Sequence, residues 1–292
     1  MHGGVGTLAL RRGPAVELAT GAGLALLLAL WAPLPLAVFG LVLIGPAHTV
    51  FELRYVVDRF RPLLTGSFLV PITVIAVARL AGPSARRVEI VAAFGLLALA
   101  LARRPGRRTV VTAAVGVAFA ASLRWPAWYG LVLLHLHNLV PAAFLWEWSK
   151  ERALRVVAVV ALLAVPLAIV AGALDALVLG AHAGSGVGPG WATAATQVTP
   201  PGWSAPSAAR FFTAFAYLQA VHYVVWCWVL PRRQPSRPVP GLPAAVVAAT
   251  ALIAVVFAVD YATGRALYSS LATYHAYLEF PVLLAFLVRR PV

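Results

Sequence analysis

Val156-Val157-Ala158-Val159-Val160-Ala161-Leu162-Leu163-Ala164-Val165-Pro166-Leu167-Ala168-Ile169-Val170 carries no charge, with Lys150, Arg152 and Arg155 before it and Asp175 after it. A hydrocarbon core about 30 Å thick is crossed by about 20 mainly apolar residues of helix, so this stretch and its apolar flanks read as a membrane span over 153–180. Outward from it the pattern repeats. Apolar runs fall at 16–32, 35–57, 66–82, 87–102, 109–123, 127–149, 208–230, 241–260 and 265–288, separated by Arg, Pro or Gly. The sequence therefore predicts an all-α fold, a polytopic integral membrane bundle of about ten transmembrane helices, with about eight as the lower bound. Residues 1–292 form a single transmembrane domain in this reading.

Composition agrees. Hydrophobic residues make up 62% of the 292, charged residues 11%, and the mean hydropathy is +0.88, against roughly 45–50% apolar and 25% charged in soluble domains. A large soluble domain is excluded. The net charge of +14 sits in short basic clusters between apolar runs, where membrane topology accounts for it without a nucleic-acid partner. Cys227 is the single cysteine, so a disulfide framework and a Cys-based zinc site are both excluded.

Lys and Arg favour the cytoplasmic side during insertion, which orients the bundle. With the N-terminus inside, inner segments carry Arg11 and Arg12; Arg54, Arg59 and Arg61; Arg103, Arg104, Arg107 and Arg108; Lys150, Arg152 and Arg155; Arg232, Arg233 and Arg237; and Arg289 and Arg290. Outer segments receive only Arg79, Arg86, Arg87, Arg124, Arg210 and Arg265. Both termini are predicted to be cytoplasmic, in the cytoplasmic (inner) membrane of a bacterium. The first run lacks a small-residue cleavage site and reads as a retained helix. Residues 181–207, with Gly184, Gly186, Gly188, Pro189, Gly190, Pro200, Pro201 and Gly202, are too rich in helix breakers to span and read as an external loop. Trp125, Trp128, Trp191 and Trp203 suit the half-wet membrane interface.

A charged or imidazole side chain at mid-bilayer needs a partner or a cavity. Here such groups are few and clustered. The second run holds Gly45-Pro46-Ala47-His48-Thr49-Val50-Phe51-Glu52, and the last holds Tyr274-His275-Ala276-Tyr277-Leu278-Glu279. Both contain His-x-x-x-Glu, which on a helix projects an imidazole and a carboxylate from one face, able to share a metal or bond each other. The sixth run adds His135, His137 and Asn138, and the eighth adds His222 and Tyr223. His135 and His137 differ by about 200° of helix; His137 is placed on the interior face, with His135 as the alternative ligand. Measured from the start of each run, His48, His137, His222 and His275 lie within about 6 Å of one level at 1.5 Å per residue.

Such a set, His48, Glu52, His137, His222, His275 and Glu279, suits Fe, Zn, Mn or Cu, with non-haem iron the first expectation. Glu52 and Glu279 would ligate or orient a ligating histidine, and Tyr223 and Tyr277 stand near enough in sequence to take part in catalysis. Metal-dependent oxidation of a lipophilic substrate drawn from the bilayer, with an electron donor where the reaction requires one, is the function predicted. Haem held by histidines in an electron-transfer protein is the second reading. A proton-coupled transporter using Glu52, Glu279, His48 and Asp260 is the third.

Gly45-Pro46-Ala47-His48 in an early helix, single histidines in later helices and an apolar multi-span body resemble the bacterial Brp/Blh-type membrane carotene oxygenases. The resemblance implies non-haem iron held by His48, His137, His222 and His275, and oxidative cleavage of a carotenoid. The two His-x-x-x-Glu motifs do not match that family's pattern.

Overall fold

Each apolar run is a helix in the computed structural model, which describes residues 13–61, 64–102, 108–177, 198–233 and 240–287. In chain order they are α1 (Pro14–Trp31), α2 (Pro33–Phe60), α3 (Gly66–Leu80), α4 (Arg86–Ala102), α5 (Arg108–Arg124), α6 (Pro126–Trp148), α7 (Arg152–Val170), α8 (Ala205–Arg232), α9 (Leu242–Val259) and α10 (Tyr261–Leu287). Among the described residues there is no strand. Six of the helices, α1, α2, α6, α7, α8 and α9, are long and apolar enough to cross a membrane, and α3 is a shorter apolar helix. The N-terminal basic pair, Trp191 and most of the 181–207 connection lie outside the described residues.

Proline shapes three of these helices in one way. α2, α7 and α8 each contain one wide π-helical turn, at Gly40–Ile44, Val160–Ala164 and Val225–Val229, and each turn is followed two residues later by a proline, Pro46, Pro166 or Pro231. A proline ring collides with the carbonyl four residues back and supplies no N–H to it. Widening the turn shifts that carbonyl aside and lets the helix continue at a changed register. Two of the three turns flank site histidines: one precedes His48, the other follows His222.

α8 is the hub of the bundle. In its most apolar window 78% of residues are buried, against 6% in α9. It packs on α1, α2, α6 and α7, and its buried residues include Phe212, Phe215, Tyr217, Gln219, His222 and Tyr223. α9 lies at the periphery and exposes Val247, Leu252 and Val259, the surface expected of a helix whose solvent is lipid. Beside the α8 centre, Tyr55, Phe60, Phe144 and Trp226 interlock edge to face, with centroids 5.2–6.4 Å apart.

The seventh run departs from its predicted length. α7 stops at Val170 rather than continuing to 180, because Gly172 turns the chain at φ +84°. A Cβ there would meet the Arg210 guanidinium at 2.9 Å. That guanidinium pairs with Asp175, so Gly172 lets the end of α7 close onto the start of α8.

Candidate metal centre

His48 on α2, His137 on α6, His222 on α8 and His275 on α10 converge so that one ring nitrogen from each lies within 4.8 Å of all the others. His48 Nε2 and His137 Nε2 are each 3.2 Å from His275 Nε2. Metal–nitrogen bonds of about 2.0–2.1 Å place adjacent ligands of a tetrahedral or octahedral set about 2.8–3.4 Å apart. His48 and His137 therefore already stand at ligand spacing from His275. Ring centroids of 4.5 Å for His137 with His222 and 5.2 Å for His48 with His222 bring the fourth ring to the same centre.

Two carboxyl groups complete the cluster, and they pair across helices rather than within their own His-x-x-x-Glu motifs. His137 Nδ1 donates to Glu279 Oε2 at 2.6 Å. Glu52 Oε2 stands 3.8 Å from both His222 Nε2 and His275 Nε2, and faces Glu279. Glu52 and Glu279 are fully buried. Neither Glu52 oxygen receives a hydrogen bond, and none is completed at either ring nitrogen of His222. Buried polar atoms left without partners cost about 1–3 kcal/mol each, more when charged. A cation amid these groups would take one ring nitrogen of His222 and an oxygen of Glu52 together, so the donor set fits a metal ion.

Outside the cluster, neighbouring groups fix the rings. Thr49 Oγ1 donates to the Gly45 carbonyl at 3.0 Å and lies 3.5 Å from His275 Nδ1. The Tyr268 hydroxyl meets both Thr49 and Tyr223, and Gln219 Nε2 donates to Tyr223 Oη at 2.9 Å and to the Ala37 carbonyl at 3.1 Å. Tyr223 packs on His48 with centroids 4.6 Å apart. A polar chain thus runs from α8 through Tyr223 and Tyr268 to Thr49 beside His275. Gly45 makes it possible: a Cβ there would overlap the Tyr268 hydroxyl. Pro141 in α6 supplies no N–H to the His137 carbonyl four residues before it, and that carbonyl faces His222.

His135, the alternative to His137, is not part of the cluster. Its Nδ1 donates to the Leu131 carbonyl of its own helix at 2.9 Å, and its ring packs on Phe211 and Phe215. Tyr277 also points elsewhere: its hydroxyl donates to Glu89 at 2.7 Å and pairs with Tyr129. Glu89 is a buried residue bound to Arg79 at 2.6 Å. Asp260 caps α10, accepting from the Ala262 amide and the Thr263 hydroxyl.

Sequence reasoning missed Thr49 and Tyr268. Tyr268 lies seven residues before His275, two turns along the same face of α10, and that spacing was the available signal. No protein-family model matches the chain, and no curated protein or solved structure matches it either.

Proposed function

We propose that this protein is an integral membrane metal-dependent oxidoreductase in which His48, His137, His222 and His275 hold a non-haem iron and a lipophilic molecule from the bilayer is the substrate. The observation that carries this reading is the convergence of four imidazole nitrogens within 4.8 Å beside two buried carboxyl groups. Imidazole and carboxylate donors without a thiolate suit iron among the redox metals. Such an ion, when bound, supplies oxygen or electron-transfer chemistry that protein side chains lack.

The chain's own residues do the rest. Glu279 fixes the tautomer of His137 by accepting its Nδ1–H, which turns the Nε2 lone pair to the centre. Glu52, facing His222 and His275, balances positive charge in an apolar surrounding and is placed to hold a proton. The Tyr55, Phe144 and Trp226 cluster packs beside His222 and excludes water. A site enclosed by apolar helices favours a substrate that arrives through lipid, and the resemblance to carotene oxygenases puts carotenoids first among those to try.

The haem alternative has weaker geometric support. Axial histidines on opposite faces of a haem are separated by two metal–nitrogen bonds, about 4 Å, whereas two pairs here stand at 3.2 Å. In the proposed topology all ten helices cross the cytoplasmic membrane of a bacterium and both termini are cytoplasmic. The distribution of Arg and Lys among the connections supports it.

The functional test is oxygen uptake by iron-loaded, detergent-purified protein offered carotenoids and unsaturated acyl lipids, with the visible spectrum recorded in parallel. Substrate-dependent uptake without a Soret band is expected. A Soret band with stoichiometric haem, or no uptake by iron-replete protein with any of these lipids, would overturn the oxygenase reading.

A further inference from the structure

On the face of α10 opposite the metal centre lies a cavity of about 880 Å³ between α4, α5 and α6. Tyr277 lines it, and stands two residues, about 200° of helix, from both His275 and Glu279. The cavity is therefore separate from the metal site, and its occupancy does not depend on whether that site binds an ion.

Its shape comes from small residues at four-residue spacing. Val110, Ala114, Ala118 and Ser122 form one stripe along α5, about 18 Å long at 1.5 Å per residue. Alanines at the middle positions leave a trough where larger residues would fill it, and leucines and valines of the neighbouring helices form the other wall. An elongated apolar trough in a helix bundle matches an extended hydrocarbon chain better than a compact ring system.

The polar groups gather at one end. Trp125, Tyr129 and Tyr277 line the cavity there, and the Tyr129 and Tyr277 hydroxyls are bonded to each other. Behind them two guanidinium groups share a single carboxylate. Glu89 Oε1 is taken by Arg79 at 2.6 Å and by Tyr277 at 2.7 Å. Arg86 Nε stands 3.5 Å from Glu89 Oε2, while its Nη1 stands over Gly130, where any Cβ would collide with it. Gly130 adjoins Tyr129 on α6. The cluster thus carries one surplus positive charge, and the terminal nitrogens of Arg86 are brought to Gly130, the residue next to the trough-lining Tyr129. A guanidinium donor matches a carboxylate.

We propose that this cavity is a binding site for a free long-chain carboxylic acid, its chain along the α5 stripe and its carboxylate at Arg86. The occupant is a membrane-derived fatty acid rather than a neutral polyisoprenoid, because the acid offers the Arg86 guanidinium an anion and the neutral lipid does not.

The test is a fluorescence titration of the full-length, detergent-purified protein with cis-parinaric acid, and with its methyl ester as the uncharged control. Saturable binding of the acid is expected, with the ester weaker by about tenfold, the worth of one charge-assisted hydrogen bond. Arg86→Gln should weaken the acid by a similar factor and leave the ester unchanged. Ala114→Phe and Ala118→Phe, which fill the trough, should each abolish binding of both probes while unfolding temperature and monodispersity stay near those of the parent. Unchanged binding in both folded Phe variants would show that the cavity is not the site. Equal affinity for acid and ester, with no response to Arg86→Gln, would overturn recognition of the carboxylate.

Discussion

His137 on α6 donates its Nδ1–H to Glu279 Oε2 on α10 at 2.6 Å, and the partners are 142 residues apart. The bond joins two helices and selects one tautomer of one ring, leaving Nε2 as the lone pair that faces His275. A carboxylate behind a ligating histidine raises its basicity and holds its plane.

Removing that carboxylate should weaken metal binding without unfolding the bundle. Glu279→Ala is expected to lower metal affinity by about 10–100-fold, the usual effect of losing such a partner. Glu279→Gln, whose amide oxygen still accepts, should lose less. Competition titration with a chelator of known affinity measures both, and equal losses in the two variants would argue that Glu279 acts by charge rather than by orientation.

The two histidines of the His135-Leu136-His137 segment should separate cleanly. His135 bonds Leu131 and packs on Phe211 and Phe215, so His135→Ala is expected to retain the parent metal content. His137→Ala should lose most of it. Elemental analysis of the two proteins purified side by side decides the matter.

Gly45 should tolerate a methyl group only when Tyr268 is shortened. Gly45→Ala places a Cβ against the Tyr268 hydroxyl, an overpacking expected to cost about 1–3 kcal/mol. The double variant Gly45→Ala/Tyr268→Ala should be less destabilised than the sum of its parts. Thermal unfolding of the three variants in detergent checks the coupling, and simple additivity would mean that the contact does not matter.

Much of this architecture is written in the order of residues, because a membrane helix is an apolar run between breakers and the chain supplies such runs from Pro14 to Leu287. The convergence of His48, His137, His222 and His275 followed from their common depth. Which partner each would take did not. Depth along a helix is read from sequence, but rotation about its axis depends on packing and on the π-turns before Pro46 and Pro231, each of which shifts register. The choice between His135 and His137, the pairing of His137 with Glu279 instead of Glu52 with His48, and the turning of Tyr277 toward Glu89 are all matters of rotation. The break at Gly172 depended on Arg210 and Asp175 meeting across a long connection, which no local pattern announces.

The junction of α9 and α10 should respond to acid. Its cap, Asp260, accepts from the Thr263 hydroxyl at 2.5 Å and the Ala262 amide at 3.0 Å, and these bonds hold its carboxyl below its ordinary value of 3.8. A carboxylate with a lowered folded value contributes stability above its ordinary range and loses it as pH falls through the lowered value. Asp260→Ala is therefore expected to lower the unfolding temperature at pH 7, with the difference from the parent shrinking toward pH 3. A constant difference across that range would contradict the cap.

Whether the four converging imidazoles hold a metal ion is decided by elemental analysis of protein purified without chelator, beside His48→Ala, His222→Ala and His275→Ala variants shown to be folded by their unfolding temperatures. Near-stoichiometric metal, chiefly iron, is expected in the parent, with its loss in each variant. A folded parent without metal, or equal metal in all four proteins, would contradict the metal centre.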